Sequence, residues 1–262
     1  MITSTKNIAV KQINQLMKSK KARREQGLFV VEGWKMLEET LAQSEGVEID
    51  SLYVSQDLQE EALRKLKDHP FECVSAHVLG AMSDTKTPQG VVAVVKTWQT
   101  ELPSLIKKSK EFAAPLLILE NIQDPGNLGT MIRTAEGSGA AGIIASSDTV
   151  DIYSPKVVRS TMGSLYRVPF VYVESLAQTI TLLKQEAIIC LAADLKGENV
   201  YKMASMHDPC AFIIGNEGNG LTQQTLGLAD RLITIPMCGQ LESLNASVSA
   251  AILLYESLRQ RS

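Results

Sequence analysis

The sequence contains few of the residues that build metal sites and disulfide frameworks. It has only four cysteines and three histidines, and they are widely spaced: Cys73, Cys190, Cys210, Cys238, His69, His77 and His207. This distribution shows neither the paired spacing of a zinc site nor the cysteine density of a disulfide scaffold. We therefore expect buried, reduced thiols, no bound metal ion and no histidine-based catalytic triad.

Long apolar runs and a P-loop signature are also absent. No apolar stretch approaches the roughly 20 residues that span a bilayer, and the N-terminus lacks the apolar core of a secretory signal. The polar segment 121–133 contains neither the Gly-Lys-Ser/Thr of a P-loop nor the Gly-x-Gly-x-x-Gly of a dinucleotide site. An apolar share of 45% with 21% charged residues is typical of a globular protein. We expect a cytoplasmic protein without a membrane partner.

Basic residues are concentrated near the N-terminus of a chain whose net charge is −3. Residues 1–26 contain a single acid, Glu25, and the densest part of this segment carries five cations: Lys18, Lys20, Lys21, Arg23 and Arg24. Such a segment on an otherwise acidic protein is typical of a surface that binds a polyanion. It is equally typical of a solvated helix face, and charge alone does not decide between the two.

The apolar runs divide the chain into two α/β domains. Residues 1–96 alternate short strand-like and helical runs, residues 97–112 show little periodicity and are predicted to form a linker, and residues 113–262 form the second domain. The strand-like runs of the second domain are 115–119, 142–145, 168–173, 187–192, 211–214 and 232–235. Helical patterns cover 127–138, 155–164, 175–185, 220–228 and 243–259. Continuous apolar strands favour burial on both faces, and so a mostly parallel sheet covered by helices.

Three polar clusters lie near the places where strand-like runs of the second domain end. They are residues 121–133 (NIQDPGNLGTMIR), 215–220 (GNEGNG) and 243–249 (SLNASVS). In an open α/β sheet, ligands bind beyond the carboxyl ends of the strands, where turns and helix starts expose backbone amides. We therefore expect the three clusters to form one small-molecule pocket.

The residue types in these clusters restrict the ligand. Asn127 is predicted to cap a helix whose N-terminus attracts anions, with Arg133 nearly two turns further along. Glu217 lies between glycines, where a carboxylate repels phosphate but suits a cationic ligand or a sugar hydroxyl. Ser243 and Asn245 open the last helix. Each cluster taken alone is also compatible with an ordinary turn, a surface arginine or simple helix capping.

Together with residues 156–164 (KVVRSTMGS) and 233–237 (ITIPM), these blocks resemble in order and spacing the SpoU-type (TrmH-like) RNA 2′-O-ribose methyltransferases of the SPOUT superfamily. The resemblance covers residues 115–258. Residues 1–95 resemble the RNA substrate-binding domain that many members carry in front. That second resemblance rests on the basic start, on FVVEG at 29–33 and on TPQG at 87–90.

The resemblance implies a C-terminal trefoil knot, an obligate homodimer and S-adenosylmethionine (SAM) as the cofactor. The implied cofactor-binding residues are Gly215, Asn216, Glu217, Gly218, Ile235, Leu244, Asn245 and Ser249. The polar residues associated with catalysis match Arg133, Asn127, Glu217, Ser243 and Asn245. The basic residues at positions 18, 20, 21, 23 and 24 then become candidate contacts for RNA phosphates.

Methyl transfer from an activated sulfonium requires alignment and a way to remove the proton of the 2′-hydroxyl. In this family an arginine, here Arg133, is proposed to help deprotonate the hydroxyl, but a guanidinium remains protonated throughout the physiological pH range. We expect Arg133 instead to clamp the neighbouring phosphate and to stabilise developing alkoxide charge, while phosphate or water takes the proton. Asn127 would orient Arg133 or the ribose, and Ser243 and Asn245 would position the substrate and the last helix. Glu217 would order its loop or bind a hydroxyl.

Ribosomal RNA is the expected substrate, because members with such a front domain act mostly on ribosomal RNA. Three alternatives stay open at this stage. The protein could be a transfer RNA ribose methyltransferase, a SPOUT enzyme that methylates a base nitrogen, or a catalytically silent RNA-binding protein on the same scaffold.

Overall fold

Helices and strands alternate along the first part of the chain in a computed structural model that describes residues 1–43, 46–67, 69–203 and 206–262. Up to residue 96 the helices are α1 (Ile8–Lys18), α2 (Lys20–Gln26), α3 (Trp34–Leu41), α4 (Gln59–Leu66) and α5 (Ala76–Ala81). The strands of this part are β1 (Leu28–Glu32), β2 (Ile49–Ser55), β3 (Glu72–Val74) and β4 (Val91–Lys96).

The alternation continues through the rest of the chain. The helices here are α6 (Leu102–Phe112), α7 (Pro125–Gly137), α8 (Pro155–Thr161), α9 (Leu176–Gln185), α10 (Gln223–Leu228) and α11 (Ala246–Arg261). The strands are β5 (Leu116–Leu119), β6 (Gly142–Ser146), β7 (Phe170–Val173), β8 (Ile189–Asn199), β9 (Cys210–Ile214) and β10 (Arg231–Thr234). Each of the six strand-like runs predicted for the second domain overlaps one of these strands.

These elements belong to two units according to which of them pack together. The first unit comprises residues 1–98 and 151–166, and the second comprises residues 99–150 and 167–262. The segment 151–166, which includes α8, therefore groups with the N-terminal elements, although the sequence analysis assigned it to the second domain. The sequence pattern could not predict this grouping, because periodicity indicates that α8 buries one face but does not indicate which strand that face covers.

The first unit is built on a four-stranded sheet with the order β1-β4-β2-β3. Strand β4 pairs antiparallel with both β1 and β2, and β3 pairs parallel with β2. Helix α1 buries Val10, Ile13 and Leu16, which recur every three residues and so form one stripe along the helix. This stripe packs against apolar residues of β1 and β4, including Val30 and Val94.

The second unit is built on a six-stranded sheet with the order β10-β8-β9-β5-β6-β7, in which every strand pair is parallel. Leu116 and Ile118 of β5 share a core with residues of α6 and α9. Their neighbours Leu117 and Leu119 point to the other face and are fully buried as well. Both faces of the sheet are therefore covered, as continuous apolar strands predict.

Helix α6 occupies most of the segment that the sequence analysis predicted to be a linker. Its Leu105 and Ile106 belong to the core of the second unit, and its N-terminal turn contains Pro103, which is well suited to a first helical turn. Several lysines on the exposed side weaken the apolar signal of so short a helix. Among the described residues, none of the helices has both the length and the apolar composition needed to cross a bilayer.

Candidate active site

The parallel sheet of the second unit brings its polar clusters to one edge. Strands β5, β9 and β10 end at Leu119, Ile214 and Thr234. Because the carboxyl ends of parallel strands lie at the same edge of a sheet, the segments that follow them start close together. The segment after β5 leads into α7, the one after β9 is the glycine-rich loop 215–220, and the one after β10 leads into α11.

The N-terminus of α7 is capped by Asp124 rather than by Asn127, which corrects the capping prediction. The Asp124 carboxylate accepts a hydrogen bond from the Asn127 backbone N–H at 2.8 Å. Pro125 takes the first helical position, where its missing N–H costs no intrahelical bond. The Asn127 side chain is consequently free to bond outside its own helix.

Glu217 connects the glycine-rich loop to this helix N-terminus. Its carboxylate accepts hydrogen bonds from the backbone N–H groups of Gln123 and Asp124 at 3.1 and 3.0 Å, and from Asn127 Nδ2 at 3.0 Å. Partial burial works to raise the pKa of Glu217, but the hydrogen bonds from Asn127, Asp124 and Gln123 together hold that pKa below its ordinary value. Of the two roles predicted for Glu217, these contacts support the ordering of the loop.

Asn245 extends the same connection to the third cluster. Its Nδ2 donates to Asn127 Oδ1 at 3.0 Å. Its own Oδ1 accepts from the Ser247 N–H and hydroxyl and from the Val248 N–H, which makes Asn245 the cap of α11. Hydrogen bonds thus run from Asn245 to Asn127 and on to Glu217, and they join the three polar clusters.

The glycine-rich loop is also ordered from within. Asn216 exchanges two backbone hydrogen bonds with Gly220, and its Oδ1 accepts from the N–H groups of Gly218 and Asn219, both at 3.0 Å. Gly220 has a φ of +67°, and a Cβ on Gly215 would lie 2.3 Å from the Gly220 carbonyl carbon. Glycine is therefore required at positions 215 and 220 by the path of the backbone.

A cavity of about 470 Å³ lies beside these clusters, a size within the range of small-molecule sites. Its wall includes seven of the eight residues predicted to bind a cofactor: Gly215, Asn216, Glu217, Gly218, Ile235, Leu244 and Ser249. The eighth, Asn245, is not part of the wall but caps the helix that forms it. Ser243, predicted to be catalytic, also lines the cavity.

Arg133 lies away from this cavity. It is an exposed residue of α7 and does not line the cavity wall. Six positions separate it from Asn127, so the two side chains leave the helix about 120° apart. Within the described part of one chain, the Arg133 guanidinium has no hydrogen-bond partner. The structure therefore brings together Asn127, Glu217, Ser243 and Asn245 but leaves Arg133 apart from them.

The predicted RNA contacts in the first unit differ among themselves. Lys18, Lys20, Lys21 and Arg24 are exposed. Arg23 is only 5% exposed, its Nε lies 2.7 Å from Asp151 Oδ2, and its guanidinium also donates to the carbonyls of Leu16 and Met17. A cation that is buried and already paired cannot contact a phosphate, so Arg23 is removed from the predicted RNA-contacting residues.

Three acidic residues at this edge of the sheet were missed by the sequence analysis. The buried Glu120 carboxylate accepts hydrogen bonds from Thr222 and Thr225 and so fixes the exit of the glycine-rich loop. Asp194 and Glu242 line the cavity. The available signal was position, because residues 120 and 194 follow apolar strand-like runs as the recognised clusters do. Among the described residues, no three His, Cys, Asp or Glu side chains are grouped so as to hold a metal ion.

Comparison with known proteins identifies the family. Residues 114–255 match the model of the SpoU rRNA Methylase family, and residues 7–93 match that of the MRM3-like substrate binding domain. The chain belongs to the SpoU rRNA methylase family. It is 33% identical over 258 residues to the 23S rRNA (guanosine(2553)-2′-O)-methyltransferase RlmP of Bacillus subtilis, with 97% of each chain covered. A Synechocystis protein named as an uncharacterized tRNA/rRNA methyltransferase is 34% identical, with 99% of this chain and 94% of the relative covered.

Solved structures of SpoU proteins share the fold of the whole chain. The AdoMet complex of the SpoU methyltransferase AviRb from Streptomyces viridochromogenes superposes with a TM-score of 0.85 at 29% identity, covering 98% of both chains. The AdoMet-bound rRNA methyltransferase from Sinorhizobium meliloti gives the same TM-score and identity, covering 98% of this chain and 97% of that one. The predicted family, enzyme class and mostly parallel α/β fold are confirmed, and the trefoil knot stays a prediction.

Proposed function

We propose that this SpoU family member methylates a ribose 2′-hydroxyl of ribosomal RNA and binds SAM in the cavity beside Glu217. The observation that carries this proposal is the run of hydrogen bonds from Asn245 through Asn127 to Glu217, which holds three distant segments around one cavity. SAM supplies a methyl group already activated by its sulfonium. The relatives RlmP and RlmB are named as 23S rRNA guanosine 2′-O-methyltransferases, which favours a ribosomal substrate.

The residues of the cavity fit such a cofactor. Backbone at Gly215, Ile235 and Leu244 would hold it, and the ordered loop around Asn216 would enclose it. Binding sites that combine an apolar wall with a few oriented polar groups are typical for drug-sized ligands, and this wall mixes the two kinds of residue. Because Glu217 already accepts three hydrogen bonds from residues 123–127, where α7 begins, its contribution is to keep the loop in place.

In the transfer, a bond forms between the ribose O2′ and the methyl carbon while the bond from that carbon to sulfur breaks. The electron pair of the broken bond stays on sulfur, and the hydroxyl proton leaves to water or to the neighbouring phosphate. Ser243 and Asn245 position the ribose and the start of α11. The Arg133 guanidinium holds the phosphate and stabilises negative charge that develops on O2′.

The position of Arg133 supports a homodimer. Because Arg133 does not line the cavity of its own chain, we place it at the cavity of the partner subunit. Helix α11 exposes two large apolar side chains seven residues apart, Val248 at 45% and Tyr255 at 50%. This spacing puts both on one side of the helix, as expected for a face covered by a second copy.

The first unit is proposed to bind the RNA, with Lys18, Lys20, Lys21 and Arg24 attracting its phosphates. Its match to a substrate binding domain supports this assignment. With a ribosomal substrate, the proposed site of action is the cytoplasm.

The test of function is a map of ribose methylations in total RNA from cells with and without the gene, followed by transfer assays with purified protein. We expect one ribosomal ribose to lose its methyl group in the deletion strain. Loss of a transfer RNA methylation or of a base methylation instead would contradict the proposal. SAM binding without transfer to any RNA would indicate a silent RNA-binding protein.

The cavity and the dimer have separate tests. Ser249→Trp puts an indole into the cavity and should abolish SAM binding in calorimetry, and retained binding would show that SAM binds elsewhere. Arg133→Ala should reduce turnover about 100-fold while leaving SAM affinity unchanged. Mixing Arg133→Ala chains with Ser249→Trp chains should restore activity, because one cavity of the mixed dimer keeps SAM and receives an intact arginine. No recovery in confirmed mixed dimers would place Arg133 at its own cavity.

A further inference from the structure

Part of the cavity wall comes from an irregularity in strand β8. Pairing with β10 runs from Arg231↔Leu191 to Leu232↔Ala192 and then jumps to Ile233↔Glu198. The five residues 193–197 are thus passed over by the register, and three of them, Ala193, Asp194 and Leu195, line the cavity. A bulge of this kind changes the direction of side chains that a regular ladder would point to one of the two faces of the sheet.

Gly197 fixes the course of this bulge. A Cβ at position 197 would lie 2.4 Å from the backbone nitrogen of Ile233. The returning chain therefore runs directly against β10, and no side chain fits between them. Because of this close approach, the bulged residues are confined to the side of the cavity.

The Asp194 carboxylate is oriented but only partly compensated. Its Oδ1 accepts a hydrogen bond from the Lys196 N–H at 2.8 Å. Among the described residues, no donor reaches its Oδ2. The side chain is half-buried. Asp194 therefore presents a fixed negative charge, with one free oxygen, at the wall of the cavity.

The ionisable side chains of the cavity wall are all acidic. They are Asp194, Glu217 and Glu242, and no lysine, arginine or histidine of the described chain lines the wall. Glu217 is compensated by the N-terminus of α7, which carries partial positive charge. Asp194 and Glu242 have no such compensation, so the cavity favours a ligand with positive charge.

We propose that Asp194, assisted by Glu242, selects SAM over the demethylated product S-adenosylhomocysteine through charge. This inference rests on the proposed position of SAM in the cavity. SAM carries a positive sulfonium, and loss of the methyl group converts that sulfur into a neutral thioether. The amino and carboxylate groups of the ligand do not change. S-adenosylhomocysteine therefore loses the electrostatic attraction to these carboxylates. It dissociates more readily, and a new SAM molecule replaces it.

The test is calorimetric titration of the full-length protein with SAM and with S-adenosylhomocysteine. Asp194→Asn keeps an oxygen for the Lys196 N–H and removes only the charge. It should weaken SAM binding about five-fold and product binding less than two-fold, as expected for one charge near a partly hydrated ligand. Asp194→Glu should retain the wild-type preference. Raising the salt concentration should reduce the preference of the wild type for SAM over S-adenosylhomocysteine, because ions screen the negative charges of the wall.

Two further variants complete this test, the first as a control and the second as an independent probe of the wall. Asp208→Asn removes the same charge at the amino end of β9, about 15 Å from the cavity edge, and should leave both affinities unchanged. Glu242→Gln should shift the preference in the direction of Asp194→Asn and by less, which keeps the inference testable if Asp194→Asn unfolds.

Equal weakening of SAM and product by Asp194→Asn, or no weakening of either, would overturn the inference. Failure of the cavity assignment itself would look different, because Ser249→Trp would then still bind SAM. The two failures are therefore distinguishable.

Discussion

In the second unit the polar side chains of the active site bond mainly to one another, whereas in the first unit four predicted RNA-contacting cations are exposed to solvent. Asn245, Asn127 and Glu217 are held before any ligand is considered. Lys18, Lys20, Lys21 and Arg24 extend from helices α1 and α2. A small cofactor is matched by an ordered cavity, whereas a long polyanion is attracted by exposed charges whose side chains can adjust to it.

Arg23 and its neighbour Arg24 compare a buried, paired cation directly with an exposed one, and they should show the largest difference in stability. Arg23→Met should lower the free energy of unfolding by about 3–5 kcal/mol, because it leaves the buried Asp151 carboxylate without its partner. Arg24→Met is the matched control and should change stability little but weaken RNA binding. Urea denaturation and filter binding measure the two effects. Equal stability losses in both variants would mean that the two arginines do not differ in role.

Replacing the four exposed cations together with glutamine should mainly change RNA affinity. If each cation contacts one phosphate, the slope of log affinity against log salt concentration should fall by about 3. SAM affinity should stay at the wild-type value, since no basic side chain of the described chain lines the cavity. Binding measured across a salt series provides the slope. An unchanged slope would remove this surface from the RNA interface.

Asn127→Ala should change SAM affinity and leave RNA affinity unchanged, the reverse of the effect expected for the four cations. It deletes the side-chain donor to Glu217 and the acceptor for Asn245, and so removes two of the hydrogen bonds that join the three clusters. SAM affinity should fall about ten-fold, the loss expected for about 1.4 kcal/mol of hydrogen bonding, while RNA affinity stays constant. Thr134→Ala on the same helix removes only a bond within α7 and should behave as wild type. Normal SAM affinity in Asn127→Ala would show that the three clusters are held together by other contacts.

The smallest expected effect is a decline of SAM affinity at acid pH. The hydrogen bonds that hold the pKa of Glu217 below its ordinary value stabilise the ionised carboxylate in the folded protein. Their contribution is complete above the pKa of the unfolded chain and is lost as pH falls through the lower, folded value. Because this carboxylate orders the loop at the cavity, SAM affinity should be constant near neutrality and should decline only at pH values below the ordinary pKa of a glutamate. Glu217→Gln should lack that part of the decline.

Much of the second unit could be predicted from the sequence, because its strands are buried on both faces. The fully apolar run Leu116–Leu119 admits few other interpretations, and the polar residues after it had to lie at the edge of a parallel sheet. The direction of each strand then determined which clusters could meet. The meeting of Asn127, Glu217 and Asn245 follows from that logic.

Other features could not be predicted because local pattern does not report partners. Arg23 and Arg24 are indistinguishable in sequence, and only the position of Asp151 separates them. Helix α8 has an apolar face, but its target, β1, lies more than a hundred residues away in the chain. The position of Asp194 after an apolar run was a signal for a residue at the sheet edge, but nothing in its own segment indicates that β8 would bulge beside β10.

The division of the chain has a practical consequence for exchanging RNA specificity between relatives. Residues 151–166 pack with the N-terminal elements but are encoded between β6 and β7 of the second unit. A chimera that swaps only the first hundred residues would leave α8 facing a foreign strand and Asp151 facing a foreign arginine. Transplanting a substrate preference therefore requires two coordinated replacements, one at the start of the gene and one in its middle.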